Sequence, residues 1–207
     1  MSHTPGPIPT VHMVDDEAPV RDALAFLLQS HGLVVNSYAS GPEFLATLST
    51  QTLRGCIVLD VRMEPMSGLQ VHDELRLRGV RLPVLFLSGH GDIPMAVGAL
   101  QKGAVDFLEK PFSGDHLVRR IERALALEAE QHAQLGAQIR LQERLQALTD
   151  RERAVMRLVA AGKLNKLIAD ELCVAVRTVE VHRSRVFEKL QVRSAVELAT
   201  LLAGSGD

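Results

Sequence analysis

The sequence predicts two folds in series: an α/β domain built on a doubly wound, five-stranded parallel sheet, then a long helix leading into a small all-α domain of four helices. Three observations point there. Short apolar runs alternate with helical patterns through the first half of the chain. From His116 onward the pattern stays helical for about thirty residues. Beyond Leu148, four short helical segments follow one another with no strand signal between them.

Taken in order, Thr10-Val11-His12-Met13-Val14 reads as a buried strand that ends in Asp15-Asp16-Glu17. Val20, Leu24, Leu27 and Leu28 then recur at helical spacing, and His31-Gly32 stops that helix. Val34 to Tyr38 is a second strand. Ser40-Gly41-Pro42-Glu43 has the form of a capping box with proline inside the first turn. Cys56-Ile57-Val58-Leu59 is a third strand ending in Asp60, with a helix from about Ser67 to Arg78 behind it. Pro83 to Leu87 is a fourth strand ending in Ser88. A helix from Pro94 to Lys102, closed by Gly103, leads to the fifth strand, Val105 to Leu108. Strands that each lead into a helix pack as a parallel sheet, because right-handed crossovers place the helices on its faces.

Leu117, Ile121, Leu125, Leu135, Ile139 and Leu145 continue an apolar seam along the long helix, interrupted by Gly136 and the polar Glu128–His132 stretch. A short coiled-coil segment and a solvated helix without a partner fit that pattern equally well. Thr149-Asp150-Arg151-Glu152 is a second capping box. Helices then read as residues 149–161, Asn165–Leu172, Val176–Leu190 and Ser194–Leu202. The boundaries predicted are a disordered tail over 1–9, an α/β domain over 10–127, a helical linker over 128–147 and the helical domain over 148–207.

Composition removes several classes. At 207 residues, 46% hydrophobic and 23% charged, the chain suits a folded protein of one or two domains. No apolar run reaches the roughly 18 residues that span a bilayer, and the first nine residues lack the pattern of a signal peptide, so no membrane role and a cytoplasmic location are expected. Cys56 and Cys173 have no C-x-x-C partner, which predicts buried thiols rather than a disulfide or a zinc site. The net charge of −2 is uneven: residues 1–113 carry 8 Lys and Arg against 12 Asp and Glu, whereas residues 149–207 carry 10 against 8. An acidic front and a mildly basic back suggest different partners for the two parts.

Ligands of open parallel sheets bind at the carboxyl ends of the strands, beside the point where strand order reverses. There the sequence places Asp15 and Asp16 after strand one, Asp60 after strand three, Ser88 after strand four and Glu109-Lys110-Pro111 after strand five. In a flavodoxin-like order, strands one and three are neighbours, so three carboxylates meet. Their mutual repulsion is relieved by a hard cation such as Mg2+, which leaves one carboxylate free as a nucleophile toward a phosphoryl group. The plainer alternative is that Asp16 or Glu17 only caps a helix N-terminus.

The set Asp15-Asp16, Asp60, Ser88 and Lys110-Pro111 resembles the receiver domain of two-component response regulators, over residues of about 10 to 127. The resemblance implies that Asp60 accepts a phosphoryl group from a sensor histidine kinase. Asp16 would hold Mg2+ directly and Asp15 largely through water, with Asp60 and the Arg62 backbone carbonyl as further ligands. Ser88 would swing to the phosphoryl oxygen, Phe107 would follow it inward, and Lys110 would pair with the phosphoryl across a cis bond to Pro111. One departure is present. Members usually read Asp-x-Arg-Met-Pro-Gly-Met-x-Gly, whereas here Asp60-Val61-Arg62-Met63-Glu64-Pro65-Met66-Ser67-Gly68 puts proline one place late. Loop length is unchanged, and the effect is expected in the turn and in phosphoryl lifetime.

In the helical part, Asn165–Leu172, a short turn and Val176–Leu190 have helix–turn–helix spacing. Val179, Val186 and Leu190 share an inward face. Arg177, Val181, Ser184 and Glu188 share another, with Glu180 beside them and Arg183, Arg185 and Lys189 flanking. Short groups meeting bases between cations that hold phosphates suit a major groove; a helical dimerisation bundle is the alternative. Leu148-Thr149-Asp150-Arg151-Glu152, Asn165-Lys166-x-Ile168-Ala169 and Arg177-Thr178-Val179-Glu180-Val181-His182-Arg183 resemble the LuxR-type helix–turn–helix. The resemblance implies that Glu180, Val181 and Ser184 face bases, with Arg177, Thr178, His182, Arg183, Arg185 and Lys189 near phosphates. Leu164 and Ala175 stand where the family usually has a Ser or Thr cap, and each loss costs about 0.5–2 kcal/mol.

A receiver followed by a LuxR-type domain is the layout of the NarL/FixJ family of response regulators, and the long linker resembles the FixJ branch. That implies a transcription regulator, not an enzyme: phosphorylation at Asp60 favours a homodimer that binds double-stranded promoter DNA and acts on RNA polymerase. The rivals are a ligand-gated or phosphorylation-independent regulator and an aspartyl-phosphate phosphotransferase or phosphatase. Haloacid-dehalogenase phosphatases need a second acid two residues after the nucleophile, and Arg62 stands there.

Overall fold

The computed structural model describes residues 8–48, 53–89 and 93–204. The expected tail over 1–9 lies almost wholly outside them. Five strands, β1 (Thr10–Val14), β2 (Val35–Tyr38), β3 (Gly55–Asp60), β4 (Val84–Ser88) and β5 (Asp106–Glu109), form one parallel sheet in the order β2-β1-β3-β4-β5. Between them run α1 (Ala18–Ser30), α2 (Gly41–Thr47), α3 (Gly68–Leu77) and α4 (Ile93–Gln101). The order reverses between β1 and β3, where Val14 lies beside Leu59 and Asp60 beside Leu87.

Alternation along the strands sorts the core onto two faces. Ile57 and Leu59 point with Val14 and Phe86 into one cluster, closed by Phe44 of α2 and Val71 and Leu75 of α3. Cys56 and Val58 point with Val11, Met13, Leu85 and Leu87 into the other, closed by Leu28 of α1 and by α5 (Gly114–Gln146). These strands are buried on both faces, which is why they read as unbroken apolar runs. Gly55 has to be glycine: its φ is +110°, and a Cβ there would lie 2.0 Å from the Thr10 carbonyl oxygen.

Two capping details differ from the sequence reading. Ser40 accepts from the Glu43 N–H as predicted, but Glu43 Oε2 reaches the Ala39 N–H at 2.7 Å, one residue before the cap. Ser67 and Gln70 form a complete capping box on α3 that the sequence reading passed over.

α5 is one continuous helix of 33 residues, and neither Gly136 nor the polar stretch breaks it. Residue contacts divide the chain within it, between His132 and Ala133. The buried face of its first part runs Leu117, Ile121, Ala124 and then Glu128, which occupies a seam position as a carboxylate. Arg54, just before β3, supplies the partner: its Nε and Nη2 grip the two Glu128 oxygens, the second at 3.1 Å. Leu135 and Ile139, in the second unit, are exposed.

The second unit adds α6 (Asp150–Ala160), α7 (Asn165–Leu172), α8 (Val176–Leu190) and α9 (Ala195–Ala203) around a core of Val155, Val159, Ile168, Val179, Val186, Leu190 and Leu198. The Thr149–Glu152 capping box opens α6 as predicted. Neither Leu164 nor Ala175 gives its helix a side-chain cap. One expectation fails: Cys56 is buried, but Cys173 is exposed. It ends α7 in a left-handed turn with φ at +51°, which turns the chain toward α8 and leaves the side chain outside the core.

Candidate functional site

The carboxyl ends of β1, β3, β4 and β5 converge as the topology requires. Asp15 is buried at 1% exposure and Asp60 at 8%, while Asp16 is exposed. Lys110 crosses from the end of β5 to both buried acids, with Nζ 2.6 Å from Asp60 Oδ1 and 3.4 Å from Asp15 Oδ2. A backbone donor holds one oxygen of each acid. The Arg62 N–H reaches Asp60 Oδ2 at 2.8 Å, the Glu17 N–H reaches Asp15 Oδ1 at 2.9 Å, and the Glu64 N–H reaches Asp16 Oδ2 at 3.1 Å. The Lys110–Pro111 bond is cis, and so is Glu64–Pro65.

Electrostatics here are unbalanced by design of the fold. Burial pushes the Asp60 carboxyl up from its ordinary value; the Lys110 ammonium pulls it back and the Asp15 charge pushes it up again, with a net rise. Burial alone would lower Lys110, but the hydrogen bond and charge of Asp60, then Asp15, raise it overall and keep it an ammonium. Two buried carboxylates thus share one cation.

Ser88 is buried at the end of β4, its Oγ donating to the Gly89 carbonyl at 3.2 Å. Phe107 is half-buried against the sheet face that holds Phe86. Gly68 follows the loop after β3, where a Cβ would lie 2.1 Å from the Asp60 carbonyl oxygen, so only glycine lets α3 begin this close to Asp60. All the residues predicted for the acidic site therefore gather at one sheet edge. Among the described residues, no three Asp, Glu, His or Cys side chains converge closely enough to cage a metal ion. The donor chemistry nevertheless suits a hard divalent cation: all oxygen, with more negative charge than Lys110 can neutralise.

On α8 the predicted reading face is open: Arg177, Thr178, Glu180, Val181, Ser184 and Arg185 are exposed, and His182, Arg183 and Lys189 are half-buried. Arg183 Nη1 donates to Asn165 Oδ1 at 2.9 Å and its guanidinium lies 5.2 Å from the Phe187 ring centre. Lys189 Nζ donates to Glu152 Oε2 at 2.7 Å and to the Ala147 carbonyl at 2.9 Å. Both cations thus serve contacts inside the domain, roles that spacing along one helix does not reveal.

An acidic site at the switch point of a doubly wound sheet, followed by an exposed helix–turn–helix, defines a two-part protein with one ligand site and one nucleic-acid-binding motif. Residues 11–122 match the response regulator receiver domain, and residues 146–202 match the luxR family of bacterial regulatory proteins. The chain belongs to the response regulators that join these two domains, and it is a DNA-binding transcriptional regulator. It is 43% identical over 196 residues to the transcriptional regulatory protein FixJ of Azorhizobium caulinodans, covering 94% of this chain and 92% of that one. It is 46% identical to the tetrathionate response regulatory protein TtrR of Salmonella typhimurium, covering 91% and 89%. Among solved structures, the response regulator StyR aligns at a TM-score of 0.86 with 39% identity, over 95% of this chain and 98% of that chain. Full-length FixJ of B. japonicum aligns at 0.61 with 38% identity, over 96% and 97%. No helix among the described residues is long and apolar enough to cross a membrane.

Proposed function

We propose that Asp60 is the phosphoacceptor and that its phosphorylation by a sensor histidine kinase switches the DNA affinity of the helical domain. The observation that carries this is the Lys110 ammonium 2.6 Å from Asp60 Oδ1, at a sheet edge with two more acids and the Ser88 hydroxyl. A carboxylate oxygen of Asp60 attacks phosphorus, and the bond from phosphorus to the donor breaks with its electron pair leaving on the donor. Lys110 then has a more highly charged partner than a carboxylate. Asp15, Asp16, Asp60 and the Arg62 carbonyl would hold Mg2+, which when bound neutralises the charge of the transferring group.

Ser88 would turn from the Gly89 carbonyl to the new phosphoryl oxygens, and Phe107 would follow into the space behind it. The surface of α4, β5 and α5 would then favour a homodimer. Moving such a switch from 1:99 to 99:1 takes about 5.5 kcal/mol of differential interaction. On α8, Glu180, Val181 and Ser184 would meet base edges of promoter DNA. Arg177, Thr178, His182 and Arg185 would lie at phosphates, with Arg183 and Lys189 contributing after their internal contacts. RNA polymerase is the expected final partner.

The test is mass and oligomeric state after incubation with acetyl phosphate and Mg2+. Wild type should gain about 80 Da, one phosphoryl group, and dimerise, while Asp60→Ala gains nothing. No adduct on wild type, with DNA binding intact, would overturn the reading in favour of a phosphorylation-independent regulator.

A further inference from the structure

The receiver pattern has proline four residues after the phosphoacceptor; this chain has Glu64 there and proline at 65. A proline nitrogen carries no hydrogen and cannot donate. Glu64 can, and its N–H donates to Asp16 Oδ2 at 3.1 Å, joining the β3–α3 loop to the β1–α1 loop across 48 positions. The displaced proline therefore creates a hydrogen bond at the edge of the acidic site that the usual order forbids.

The three acids are engaged differently. Asp15 and Asp60 both turn to Lys110. Asp16 instead lies exposed with one oxygen held by the loop, and no three-acid cage forms among the described residues. We infer that the Glu64 N–H is a latch that holds Asp16 off the divalent-cation position, so that this chain must break the Glu64–Asp16 bond to load a metal and responds only at a higher Mg2+ level. This rests on the reading that the acidic site takes Mg2+. The Glu64 carboxylate is a separate influence, because it adds charge without adding or removing a donor.

The test is a Mg2+ titration by calorimetry of the full chain, with no phosphodonor present. It is run at about 1 M salt, where the Debye length of about 3 Å mutes the Glu64 charge. A double variant, Glu64→Pro with Pro65→Gly, removes the donor and restores the usual order; Glu64→Gln keeps the donor and removes the charge. An exposed hydrogen bond of this kind predicts a Kd for Mg2+ about three- to tenfold lower in the double variant, with Glu64→Gln within about twofold of wild type. Hydrogen exchange of the Glu64 amide in wild type gives a readout that needs no substitution. It should quicken when Mg2+ saturates the site.

Equal affinity in the double variant and wild type would overturn the latch and leave the metal site standing. So would a Glu64 amide that stays protected at saturating Mg2+, which would mean that Asp16 holds loop and metal together. If the double variant does not fold, the amide measurement decides alone. No Mg2+ binding by any of the three proteins would overturn the metal reading and the latch with it.

Discussion

Each half of the molecule contains a lysine that reaches far along the chain to a buried carboxylate, and the two carboxylates respond in opposite directions. In the receiver, Lys110 serves Asp60 and Asp15, and burial drives Asp60 upward despite the ammonium. In the helical domain, Lys189 serves one carboxylate, Glu152, and the Ala147 carbonyl. That carboxylate also caps the Thr149 N–H, and the hydrogen bond from Lys189, then the cap, pull it down to about 2. The geometry is nearly the same, at 2.6 Å and 2.7 Å. What differs is first the desolvation that Asp60 suffers, and only after it the count of acids per cation. One pair is left in deficit and is ready to exchange partners; the other is satisfied and holds α8 to the start of α6.

The largest expected effect breaks the satisfied pair. Lys189→Met leaves a buried Glu152 without its cation, and the helical domain should lose about 1–3 kcal/mol in urea denaturation followed by exchange of α8 amides. An unchanged stability would mean that the capping box alone satisfies Glu152. Acid does the same to wild type. Because the folded value of Glu152 lies below its ordinary 4.5, its contribution is intact above that pH and is lost as pH falls toward about 2.

Restoring the missing caps comes next. Leu164→Ser and Ala175→Ser should each stabilise the helical domain by about 0.5–2 kcal/mol, read from denaturation midpoints. The receiver pair should behave with the opposite sign. A carboxyl whose folded value is raised costs stability as pH rises through that value. Asp60→Asn should therefore raise the receiver's melting temperature at neutral pH, with the gain vanishing below the ordinary 3.8. A destabilised Asp60→Asn receiver would show instead that Lys110 fully compensates the burial. The smallest effect belongs to an exposed pair: Lys163→Ala, which removes the bridge to Glu171, should change stability by less than about 1 kcal/mol.

The strands and most of the helices were legible because each carries its own signal: an apolar run, a cap, a glycine stop. The acidic site was legible for a related reason. Parallel topology sends every strand's carboxyl end to one edge, so Asp15, Asp16, Asp60, Ser88 and Lys110 could be gathered by counting strand ends. What escaped are contacts whose two partners lie far apart in sequence. Glu128 reads as a break in an apolar seam until Arg54, 74 positions earlier, is seen beside it. Nothing in the spacing along α8 pairs Lys189 with Glu152, 37 positions earlier, or Arg183 with Asn165, 18 positions earlier. The Glu64–Asp16 bond needs two loops to be placed side by side, although the displaced proline was its one visible sign.

The two cysteines differ in a way useful at the bench. Burial, with the nearby Glu128 charge, pushes the Cys56 thiol up to about 12, so near neutral pH it is neither a thiolate nor accessible. Cys173 is exposed at the end of α7, in the turn that leads to α8. A maleimide dye or spin label added to the unmodified protein should therefore attach at one position, beside the helix expected to read DNA. The natural sequence already carries a single-site reporter for promoter binding.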